Sequence, residues 1–85
     1  MENFGSMLEE VKTLVQDEIN NPSKRPDYIS ETQLYAILDE LNKMGRIRNS
    51  HLFYPYYPRG LADSWSFSNQ LGDKLLNLLE LYKKL

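Results

Sequence analysis

Tyrosine, proline and arginine crowd into one short stretch, Tyr54-Pro55-Tyr56-Tyr57-Pro58-Arg59. With Phe53, Trp65 and Phe67 around it, this region holds six of the chain's ten Phe, Tyr and Trp residues. Tyrosine and arginine are the side chains most enriched where protein partners meet. The same residues stack on bases and reach phosphates. The chemistry on offer is recognition. Pro55 to Ala62, with Tyr56, Tyr57 and Arg59 at its tip, is the candidate contact surface, and Phe53, Tyr54, Trp65 and Phe67 are read as mainly structural.

Catalytic and metal chemistry find little material. His51 is the only histidine and there is no cysteine. No carboxylates cluster at ligand spacing, so no metal site is expected. No glycine-rich phosphate loop and no nucleophile beside a base can be found. The expectation is a non-enzyme without cofactors.

The length of 85 residues sets a single domain with a modest core. Apolar residues make up 41% and charged residues 26%, values of a globular and not a disordered chain. No apolar run approaches the roughly 20 residues that span a bilayer, and the acidic start MENFGSMLEE lacks the layout of a signal peptide. A cytoplasmic protein without membrane contact is expected. The net charge of −2 is unevenly spread. Residues 1–21 carry −4 and residues 62–85 balance. Residues 22–61 carry +2, through Lys24, Arg25, Lys43, Arg46, Arg48 and Arg59 against four acids.

The elements that must hold these side chains follow from spacing. Ser6 with Glu9 reads as a capping box that opens a helix over residues 6–20. Met7, Leu8, Val11, Leu14, Val15 and Ile19 recur there at helical intervals. Residues 21–29, with Pro22 and Pro26, form a loop. Ser30 with Gln33 opens a second helix over residues 30–44, whose buried stripe is Leu34, Ile37, Leu38, Leu41 and Met44. Gly45 sits where a left-handed cap is wanted. The period then changes. DSWSFS, residues 63–68, alternates polar and aromatic and reads as a strand, with residues 50–54 as its antiparallel partner and residues 55–63 as the hairpin tip. Pairing should end at Pro55. A last helix runs over residues 69–84, and Leu76 and Leu81 fall off its apolar stripe. A stripe that wide fits either a deeply buried helix or one packed on a second copy of the chain.

The segment TQLYAILDELNKMGRIRN resembles the recognition helix of winged-helix regulators of the PadR-like group, through Leu34-Tyr35, Ile37, Leu38, Leu41 and Gly45-Arg46-Ile47. WSFSNQLGDKLLNLL is similar to that family's passage from the second wing strand into the C-terminal helix, through Trp65, Phe67, Ser68, Gly72, Leu75 and Leu76. The resemblance implies an α+β winged helix in the order helix, helix, β-hairpin (residues 47–68), helix, with one N-terminal helix fewer than usual. It implies a transcriptional regulator that binds double-stranded DNA as a homodimer through its terminal helices. Thr32, Gln33, Ala36 and Lys43 would then line the recognition face. Lys24, Arg25, Arg48 and Arg59 would reach phosphates, with Tyr56 and Tyr57 on the wing. Asp39 and Glu40 place the wrong charge on that face.

Tyr56-Tyr57-Pro58 also resembles an element of the colicin-nuclease immunity proteins, which are mostly helical, of similar length, and carry Tyr-Tyr-Pro in a short element before the final helix. That resemblance implies an inhibitor or immunity-type protein, of the kind encoded by phages and plasmids, that grips a partner protein with the Tyr/Pro-rich loop.

Overall fold

A computed structural model describes residues 3–66 and 68–85. Phe67, expected in the second wing strand, lies outside the described residues. The chain folds as four α-helices: α1 (Phe4–Asn20), α2 (Glu31–Ile47), α3 (Tyr57–Ser64) and α4 (Gln70–Lys83). A 3-10 turn, Pro22–Lys24, follows α1. Among the described residues there is no strand, so the α+β winged helix with a hairpin over residues 47–68 is overturned.

The reason lies in two competing periods. The alternation in DSWSFS lasts only six residues. Tyr57, Leu61 and Trp65 repeat every four, which stacks three large side chains on one helical face. All three are buried. Pro58 falls in the first turn of α3, where a missing N–H costs nothing and the fixed φ suits a helix. Asp63 and Ser64 therefore end a helix instead of starting a strand, and Trp65 becomes extended only after that helix has closed. The expected partner strand, residues 50–54, instead begins in tight turns. The amides of Leu52 and Phe53 both donate to the Asn49 carbonyl, and the His51 amide donates to the Asn49 side chain.

The caps show what begins each helix. At α1 the cap is Asn3 and not Ser6, because the Asn3 side chain accepts from the Ser6 N–H at 2.8 Å. The helix therefore starts three residues earlier than the Ser6–Glu9 pattern implies. Ser30 does cap α2, accepting from the Gln33 N–H at 3.0 Å. Asn69 caps α4 through the Gly72 N–H. Replacing Ser30 with alanine leaves an N-terminal amide unpaired and is expected to cost about 1 kcal/mol, read as a shifted urea midpoint with an unchanged m-value.

Gly45 is not the left-handed cap of α2. The helix runs through it to Ile47, and Arg48 takes the left-handed turn at φ 52°. What Gly45 supplies is room: a Cβ there would stand 2.7 Å from Cδ2 of Leu8, so α1 and α2 approach closely at this point. The core is one continuous cluster. It includes Phe4, Leu8, Val11 and Val15 of α1, Leu34, Ile37, Leu41 and Met44 of α2, and Leu75, Leu78 and Tyr82 of α4. α1 packs on both α2 and α4. Leu76, off the stripe, stays 43% exposed.

Candidate functional site

The short helix α3 is seated on α2 and α4 by three side chains. The Tyr57 hydroxyl donates to the Leu75 carbonyl at 2.7 Å, inside the core. The Trp65 indole N–H donates to the Gln33 side-chain oxygen at 2.8 Å. Glu40 accepts from the Tyr56 N–H, so an α2 carboxylate holds the residue that precedes α3. Gly60 makes the fit close, since a Cβ there would lie 2.9 Å from the Gln33 amide nitrogen.

Behind α3, the loop that leads into it is tied to α4. The Tyr82 hydroxyl lies 2.6 Å from the Phe53 carbonyl and 3.0 Å from the Asn49 carbonyl. A phenol has one hydrogen, so the two acceptors share it. Pro55 is buried, whereas its neighbours Tyr54 and Tyr56 are 48% and 81% exposed. A Tyr-Pro-Tyr sequence is thus clamped from below by Tyr82, Pro55, Glu40 and Tyr57, with both tyrosine rings left outside. Arg59 is exposed beside them.

Tyr57 is the interior member of the group. Burial raises its phenol well above the ordinary value, and the nearby Glu40 carboxylate and Tyr54 add to the rise. The folded state therefore keeps this proton where the unfolded chain releases it, near pH 10. The resulting stability is complete below that pH and is lost as pH climbs past it. Base-induced unfolding followed by circular dichroism is expected to steepen above about pH 10, and the Tyr57→Phe variant, which has no proton to lose there, is expected to flatten the curve.

The residues expected to contact DNA separate into groups. Thr32 and Ala36 are exposed on α2, while Gln33 turns to Trp65. Lys43 pairs with Asp39 at 3.1 Å and sits 5.9 Å from the Phe53 ring. Arg25 points inward: its guanidinium donates to the carbonyls of Glu18 and Ile19, filling the end of α1 where carbonyls lack helical partners. Arg48 donates to the Gly45 carbonyl and stacks 5.5 Å from the Phe4 ring. Arg25 thus works at the end of α1 and Arg48 at its start, about 25 Å apart along a 17-residue helix. Lys24 is exposed at the Arg25 end. Tyr56 and Arg59 stand together on the surface, and Tyr57 is beneath them in the core.

Two site residues escape a reading of the sequence. Tyr54 is assigned there to the end of a strand with a mainly structural role, yet it is half exposed. Glu40 is assigned there to a DNA-facing surface, yet it holds the Tyr56 amide. The spacing of Tyr57, Leu61 and Trp65 was the available signal, because a helix there turns Tyr56 and Arg59 outward.

No group of three or more His, Asp or Glu side chains gathers into a metal site among the described residues. No helix among them is long and apolar enough to cross a membrane. The chain matches no family model, no curated protein and no solved structure.

Proposed function

We propose that the protein is a small binding module of the inhibitor or immunity type, which captures a partner protein on the shelf formed by Tyr54, Tyr56 and Arg59. The observation that carries this reading is Tyr56: 81% exposed, on a backbone held by a neighbouring carboxylate and set between two buried residues. A residue whose backbone is already fixed loses less freedom on binding, so more of its burial appears as affinity. The short helix before the last one, opening on Tyr57-Pro58, is the element that the resemblance to colicin-nuclease immunity proteins implies.

Duplex binding has weaker support. Arg25 directs Nε and Nη2 to the chain's own carbonyls, Arg48 directs one N–H to the Gly45 carbonyl, and Lys43 is paired with Asp39. Phosphate contacts need cations free to displace counterions. The discriminating experiment sets the chain against mixed duplex DNA at low salt and against a captured protein partner at high salt. A stoichiometric protein complex that survives high salt and is lost on joint replacement of Tyr54 and Tyr56 by alanine supports the reading. Salt-sensitive duplex binding, with no such complex, would overturn it.

A further inference from the structure

Tyr54, Pro55, Tyr56, Pro58 and Arg59 enclose a groove on the surface beside α3. At about 370 Å³ it lies at the small end of ligand sites, which run to about 1,000 Å³. It is a surface groove open to solvent and not an enclosed cavity, which leaves room for a segment of chain to enter and leave. Its polar side-chain groups are hydrogen-bond donors. Arg59 can only donate, and the two phenols each bring an O–H. Lys83, paired with Glu80 at 3.0 Å, lies 6.0 Å from the centroid of the Tyr54 ring. A groove rich in donors and walled by rings suits a ligand rich in carbonyls and poor in N–H groups.

The local charges narrow the ligand further. Asp39 is paired with Lys43 and Glu80 with Lys83, while Glu40 accepts from the Tyr56 N–H and keeps its charge behind the groove. Arg59 has no ion pair among the described residues. Among the residues that line the groove only Arg59 is charged, so the wall it presents is positive. We infer that the groove between Tyr54, Tyr56 and Arg59 takes an extended proline-rich segment of a partner protein, followed by a carboxylate that pairs with Arg59. A polyproline II segment has carbonyls without internal partners and little freedom left to lose. Such segments dock in aromatic-lined grooves.

This inference rests on the protein-binding reading above but can fail separately from it. The test uses the purified chain and an array of acetylated eight-residue peptides that hold Pro-x-x-Pro followed by Glu. Matched sets carry Lys for Glu, or Ser for both prolines. Binding is read by fluorescence anisotropy, and its site by amide shifts at Tyr56 and Arg59. The expected result is selection of the acidic proline peptides, weakened about tenfold or more by Arg59→Glu and abolished by Tyr56→Ala. Tyr35→Ala should change nothing, since Tyr35 projects about 200° around α2 from Gln33, away from α3. No binding across the array, or equal binding of the Lys set, would overturn the inference. A Tyr54- and Tyr56-dependent protein complex would still stand in that case, and would assign the shelf to a folded partner surface.

Discussion

Tyr82→Ala is expected to remove about 3–5 kcal/mol of folding stability, the range for a large aromatic truncated in a core. Tyr82 is fully buried, and its ring lies 5.6 Å from that of Phe4, so α4 meets the first turn of α1 there. Its hydroxyl also serves the carbonyls of Asn49 and Phe53. A domain of this length has about 4–13 kcal/mol in total, so one substitution removes a large share of it. Each kcal/mol lowers the melting temperature of such a domain by about 4–8 °C. Calorimetry is therefore expected to show a fall of tens of degrees, or no folded state at all. Tyr82→Phe separates the two roles. The ring stays, the Phe53 carbonyl loses its partner, and the cost is expected to be about 1–1.5 kcal/mol. A Tyr82→Ala protein that melts within a few degrees of the parent would show that α4 is not anchored through this residue.

Joint replacement of Tyr54 and Tyr56 by alanine is expected to do the reverse. Both rings project outward, and exposed substitutions of this kind change stability by about 0.5 kcal/mol or less. Hot-spot aromatics cost about 2 kcal/mol or more each when truncated at an interface. The pair is expected to weaken the partner complex by about 100- to 1,000-fold, chiefly through faster dissociation. Surface-based kinetics with the captured partner would measure this directly. An affinity within about threefold of the parent would remove these tyrosines from the interface. The Tyr82→Phe variant adds a link between the two predictions. It releases the carbonyl just before Tyr54, so the shelf should loosen and affinity should fall by more than the small stability loss alone would imply.

The long helices were legible because each has an apolar repeat over about four or five turns, although of the two capping boxes only that of Ser30 marks the true start. Leu34, Ile37, Leu41 and Met44 are buried as their spacing requires, and Ser30 caps as its type requires. Leu76 falls off the stripe of α4 and is exposed. The region between the helices was ambiguous because short segments satisfy two periods at once. Residues 57–65 carry a four-residue repeat of large side chains, while residues 63–68 carry a two-residue alternation that overlaps it. Length normally arbitrates between such periods, and neither run is long. The decision came from elsewhere in the chain: Leu75 offers a carbonyl to Tyr57, Gln33 an oxygen to Trp65, and Glu40 a carboxylate to the Tyr56 amide.

The Tyr-Pro-rich stretch shows the same division. Composition alone marked Tyr56, Tyr57 and Arg59 as recognition residues, because ring area and a fixed cation are properties of residue type, and Tyr57 proves to be buried. Which tyrosines face outward was settled by packing partners 16 to 29 residues away in the chain. No local pattern records those partners. A cation shows it as well: Arg25 reads in sequence as a free charge ahead of a helix, and the folded chain brings it the carbonyls of Glu18 and Ile19. Residue type and spacing determined the helices and the chemistry available at the surface. The tertiary structure decided which of those groups are used internally and which remain free to bind, since a buried hydrogen-bonding group must find a partner wherever the fold places one.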